Sequence, residues 1–182
     1  IDANQILIKE RVLREIKKDF YIGLETDFQR MVQVDFKPAA DAPAFDFPLG
    51  YAGSTNLGLG LGLVYDNRHN VLNVRRGYFA ELAYLNYNET WSDFGFAGIT
   101  FDTRIFRQVG TSNVLAWQAI GQFYSGAVPF NQLSLLGGDS MMRGYYLGRF
   151  RDKNQIATQL EFRMLPLPLG FSKRIGAAVF AG

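Results

Sequence analysis

Hydrophobic residues recur at every second position over most of this chain. Phe20, Ile22, Leu24 and Phe28 share one face, with Tyr21, Gly23, Glu25 and Asp27 on the other. That is the period of a β-strand. Asn56 to Asp66 is more explicit: Leu57, Leu59, Leu61, Leu63 and Tyr65 alternate with Gly58, Gly60, Gly62, Val64 and Asp66. A strand half-buried in water would carry Lys, Glu or Thr on its second face, because glycine weakens a strand. A leucine face backed by bare glycine instead predicts lipid on one side and something packed close on the other. The same alternation predicts strands over 78–85, 94–107, 113–124 and 155–164, and another beginning at Arg174. Residues 5–16 are ambiguous. Ile8, Val12 and Ile16 stand at helical spacing, and the alternating reading through Ile6 is broken by Glu10 and Arg14, so periodicity leaves helix and strand level.

Between these segments, Lys17-Lys18-Asp19, Asp66 to Gly77 and Gln108 to Ser112 read as turns, and Glu89 to Asp93 as a short polar loop. Pro166-Leu167-Pro168 with Gly170 reads as a rigid turn. Two connections, 33–56 and 125–154, are long loops, and loops of that length are functional or flexible when they occur in compact domains. Barrels of the outer membrane place long loops outside the cell and keep periplasmic turns short. Eight candidate strands could close alone as a small barrel, but its lumen would be filled by side chains and could not take a loop as long as 125–154. An unclosed sheet leaves unpaired edges, so the chain is expected to be a fragment.

Composition narrows the chemistry. The chain has 182 residues, a net charge of +2 and no cysteine, which removes disulfides and thiolate chemistry. The one dense basic run, Lys9 to Lys18, is interrupted by Glu10 and Glu15 and does not make the basic face of a nucleic-acid binder. His69 is the only histidine, which argues against a zinc site or catalytic triad. No cofactor, metal or enzymatic activity is expected. No apolar run reaches about 18 residues, so no helix spans a membrane; with no leader at Ile1, any export signal lies outside this chain. Sixteen Phe, nine Tyr and nineteen Gly leave a soluble barrel of lipocalin type, a β-sandwich or a membrane barrel open. Gln118 and Gln122 oppose an apolar face and suit a hydrated interior. Glu25, Asp27, Glu81 and Asp102 share that interior, where lumen polarity explains them better than a glycosidase-like carboxylate pair. Trp91, Trp117, Tyr78, Tyr84 and Tyr87 are interfacial girdle residues or ordinary strand aromatics.

The stretch Gly137 to Phe150 is rich in glycine and carries a central arginine. Its core, Met142-Arg143-Gly144-Tyr145, resembles the [VIM]-R-G-[FY] signature of the Omp85 superfamily, the bacterial surface antigen D15 family. Gly137-Gly138 upstream and Glu161-Phe162-Arg163 on the next strand stand where that pattern places them. Asp66-x-Arg68, with Gly77 nine residues on, is also similar, although Val71 to Arg76 replace the usual prolines. The resemblance implies an all-β, antiparallel transmembrane β-barrel. Residues 1–182 would be part of a C-terminal barrel domain, about strands six to thirteen of a sixteen-stranded barrel, and 5–16 would be strand. The loop would fold into the lumen, where Arg143 pairs with a wall carboxylate. Glu161, beside Arg163, is the expected partner. A further aspartate, usual in a Phe-x-Asp-x-Gly pattern, is lacking in Phe180-Ala181-Gly182.

The same resemblance implies an integral protein of the Gram-negative outer membrane that inserts outer-membrane proteins or translocates proteins. Its partners would be membrane lipids, an unfolded or secreted client, and periplasmic or lipoprotein accessory subunits. Two alternatives remain: a barrel that anchors or exports a fused lipase-like enzyme domain, and a passive porin-like channel.

Overall fold

In the computed structural model, residues 2–35, 46–139, 141–164 and 175–182 are described. The strands are β1 (Asp2–Lys17), β2 (Phe20–Asp35), β3 (Ser54–Asp66), β4 (Gly77–Tyr87), β5 (Phe96–Val109), β6 (Asn113–Gly126), β7 (Ser134–Leu136), β8 (Phe150–Asp152), β9 (Asn154–Met164) and β10 (Ala177–Ala181). Eight of them form one antiparallel sheet in the order β1-β2-β3-β4-β5-β6-β9-β10. β7 and β8 pair as a separate hairpin inside the connection from β6 to β9. Among the described residues β1 and β10 do not pair with each other, so the sheet is an open wall.

The ambiguous segment 5–16 is strand. It pairs with β2 in register Ile8↔Phe28, Glu10↔Thr26 and Val12↔Leu24. Ile6, Ile8, Val12 and Ile16 are all exposed on one face, and Glu10 and Arg14 interrupt that same stripe. Strand ends differ by a few residues from the alternation. β5 begins at Phe96 and runs on to Val109, and β2 reaches Asp35 before the connection to β3. Residues 36–45, the Pro166–Gly170 turn and Arg174 lie outside the described residues.

Connections divide by end. The turns at 18–19, 67–76 and 110–112 lie at one end of the sheet, and 46–53, 88–95 and 127–153 belong to the other. In the tightest turn Asp19 adopts φ 65°, a left-handed conformation that a short polar side chain tolerates. The 67–76 turn folds back over the inner face. Its Val74 is buried with Phe106, Val114 and Ala116 of β5 and β6.

The two faces of the sheet differ as the β3 pattern predicts. Leu59, Leu61, Leu82, Tyr84, Ile99, Trp117, Ile156 and Leu160 are exposed along the outer face. On the inner face the glycines of β3 form a furrow. A Cβ on Gly58 would lie 2.5 Å from the Tyr87 ring, and one on Gly62 would lie 2.1 Å from the Glu25 carboxylate. Those side chains are what packs close. Any side chain in the furrow would expel them.

Candidate functional site

The β6–β9 connection is fixed at its root before it reaches the wall. Val128 and Pro129 are buried, Val128 against Tyr87 and Phe96. A 3₁₀ turn follows at Phe130–Gln132. Asn56 Nδ2, fully buried on β3, donates to Gln132 Oε1 at 2.8 Å, and the Phe130 N–H donates to the Leu49 carbonyl at 2.9 Å. A buried amide left without such a partner would cost about 1–3 kcal/mol, so this contact sets where the loop starts.

From that root the β7–β8 hairpin projects, and its strands are joined through Gly137 and Gly138. Gly137 has φ +115°, and a Cβ there would come within 2.4 Å of the Tyr146 carbonyl. Gly138 has φ +104°, and its N–H donates to the Tyr145 carbonyl at 2.9 Å. Both positions therefore favour glycine. The Tyr145 N–H returns to the Met142 carbonyl at 3.0 Å, a turn with Arg143 and Gly144 at its apex. Met142 takes φ 54°, unusual for a residue with a side chain. Gly144 has open space around the position of a Cβ, so crowding does not require glycine there. Tyr145 packs edge-on against Phe150 at 5.3 Å.

At that apex the predicted site residues come together. Arg143 Nη2 donates to Glu161 Oε2 at 3.0 Å, and Arg163 Nε donates to Glu161 Oε1 at 2.7 Å. One carboxylate thus satisfies a loop guanidinium with one oxygen and a wall guanidinium with the other. Its side chain is only 12% exposed, so the charges interact in a less screened setting than surface pairs do.

A partner that sequence reasoning missed lies on β10. The Arg143 guanidinium stacks over Phe180 at 4.0 Å from the ring centroid, a cation–π arrangement. Phe180 stands directly opposite Glu161 in the sheet. The signal was present in Phe180-Ala181-Gly182, in the ring that precedes the position of the absent aspartate.

Glu161 also adjoins a polar row on the inner face. The register runs Asp66↔Phe79↔Arg104↔Gln118↔Gln159 across β3, β4, β5, β6 and β9. Gln159 Nε2 donates to Gln118 at 3.1 Å, Gln118 Nε2 to Asp102 at 3.2 Å, and Arg104 closes on the same Asp102. Arg68 and Arg104 lie over the Phe79 ring at 4.6 and 5.3 Å. Asp66, the last residue of β3, accepts from Arg68 Nε at 2.8 Å and Nη2 at 2.6 Å.

A second polar cluster occupies the inner face of β1, β2 and β4. Arg11 Nη1 reaches Glu81 Oε2 at 2.7 Å and stands 3.7 Å from Glu25 Oε1. That reach crosses β2 and the glycine furrow of β3. Tyr87 belongs to this cluster and not to an outer girdle. It is 3% exposed and donates to Asp27 Oδ2 at 2.8 Å. Period two puts it on the face of Glu81 and Leu85, opposite Tyr78 and Tyr84, which do point outward. Trp117 is on the outer face, whereas Trp91 lies in the β4–β5 loop and donates its indole N–H to the Leu57 carbonyl at 3.0 Å.

No curated protein matches the sequence. Among solved structures, the chain is similar to BamA from Haemophilus ducreyi lacking POTRA domains 1–3, with a TM-score of 0.70 at 15% identity. The likeness covers 98% of this chain and 41% of that one, so the chain spans less than half of that protein's length. At that identity the match establishes fold: an antiparallel membrane-barrel wall of which this chain is a portion. The Omp85 superfamily domain matches residues 2–181. With nearly its whole length matched, the chain belongs to the Omp85 superfamily.

Proposed function

We propose that this wall, within its complete barrel, serves the insertion of outer-membrane proteins or the translocation of proteins across the outer membrane. The carrying observation is the glycine-hinged loop whose apex is fixed to the inner wall by Arg143 on Glu161. Such a contact performs no bond chemistry. It braces a loop against the inner wall and narrows the lumen without sealing it. Family membership supports the same reading. The exposed leucine face supports integral residence in the outer membrane, with lipid as its solvent. The clients would be unfolded or secreted polypeptides, received with periplasmic or lipoprotein accessory subunits.

The test is complementation by the full-length protein carrying Arg143→Ala. Assembly or secretion of its clients should fall while the barrel remains folded. Full activity together with unchanged protease resistance of the loop would overturn the reading.

A further inference from the structure

The cluster on β1, β2 and β4 lines a recess of about 400 Å³ on the inner face. Three carboxylates of the inner face, Glu25, Asp27 and Glu81, stand there with two cations, Lys9 and Arg11; Glu10, also at the recess, belongs to the outer stripe of β1. The hydrogen bonding of Asp27 is lopsided. Its Oδ2 receives Tyr87 at 2.8 Å and Gln29 at 3.1 Å, with Lys9 Nζ at 3.2 Å. Its Oδ1 is buried with no hydrogen-bond partner, and the side chain as a whole is 5% exposed. A buried carboxylate oxygen without a donor is unfavourable. Glu25 Oε1, in the same recess, also lacks a hydrogen bond.

Lys9 meets Asp27 through one contact, Nζ to Oδ2 at 3.2 Å, and an ammonium offers a point charge to one oxygen. A guanidinium offers a planar fork that engages both oxygens of a carboxylate at once. We propose that this recess is a seat for a guanidinium group, which displaces Lys9 and bonds both oxygens of Asp27. The group can come from an arginine side chain on a polypeptide in the lumen or from a free small guanidine. The inference rests on reading this face as a lumen wall.

Planar-bilayer recording of the full-length protein tests it, with hexa-arginine, hexa-lysine and the small guanidine agmatine as probes. Hexa-arginine should block conductance at about tenfold lower concentration than hexa-lysine, the factor that corresponds to about 1.4 kcal/mol. Asp27→Asn should abolish the difference. Lys9→Gln removes the competing ammonium, should enhance block by arginine and so supplies a gain that misfolding cannot mimic. Block by agmatine as well shows that the group alone suffices; block by the peptide alone assigns the source to polypeptide. A conducting pore that does not distinguish arginine from lysine, or that does so equally in Asp27→Asn, overturns the seat. Absence of any conductance overturns the lumen reading beneath it.

Discussion

Arg143 meets Glu161 at 3.0 Å, although the loop carrying Arg143 rejoins the sheet at Asn154, seven residues before that glutamate. At the rise of a β-strand this is about 23 Å along the wall. The connection therefore turns inward and runs down the inner face, where the Glu161 carboxylate and the Phe180 ring receive its tip.

Arg143→Ala removes both the ion pair and the ring contact. The loop should lose about 1–3 kcal/mol of local stability, less than a fully dry pair because the site is partly hydrated. Limited proteolysis should show faster cleavage between 137 and 148, while detergent resistance of the barrel is retained.

Phe180→Leu keeps an apolar side chain but removes the ring face from Arg143. Hydrogen exchange around 142–145 should accelerate by an amount corresponding to about 0.5–2 kcal/mol, and Phe180→Trp should restore protection. Equal exchange in Phe180→Leu and the wild type would show that the ring contributes nothing.

The two glycine environments give opposite expectations. Gly137→Ala introduces a Cβ 2.4 Å from the Tyr146 carbonyl at φ +115° and should destabilise the loop by about 1–3 kcal/mol. Gly144→Ala enters open space and should change loop stability by less than about 0.5 kcal/mol. Proteolysis rates of the two variants make the comparison.

Asp66 receives the Arg68 Nε and Nη2 at 2.8 and 2.6 Å and the Arg68 N–H at 3.1 Å. Asp66→Asn weakens all three and should loosen the 67–76 turn by about 1–3 kcal/mol. Faster hydrogen exchange across 67–76 is the expected result, and unchanged protection there would contradict the assignment.

How much of this was legible in the sequence depended on distance. The β3 alternation predicted both faces, because period two is a local property and a leucine row backed by bare glycine suits only a wall with lipid outside and side chains packed close within. The β1 strand was not decidable locally: Glu10 and Arg14 fall on the outer stripe, and pairing with β2 overrides the broken pattern. Arg143, Glu161 and Arg163 were legible through family resemblance. Their meeting still required the loop to fold back along β9. Arg11 on Glu81 was invisible, since it needs the register of four strands and an empty furrow between them. Tyr87 was left open between girdle residue and ordinary strand aromatic, although its parity with Glu81 already placed it on the inner face.

The central claim is that the loop apex lies on the inner wall beside Glu161. Cysteines at 143 and 161 in this otherwise cysteine-free chain test it most directly. An extended arginine–glutamate pair exceeds the reach of a direct disulfide, so a short bifunctional thiol reagent is used on the full-length protein in native outer membranes. Efficient crosslinking, with position 143 shielded from an impermeant label added outside the cell, is the predicted result. Free labelling of position 143 from outside, without a crosslink to 161, would contradict the account.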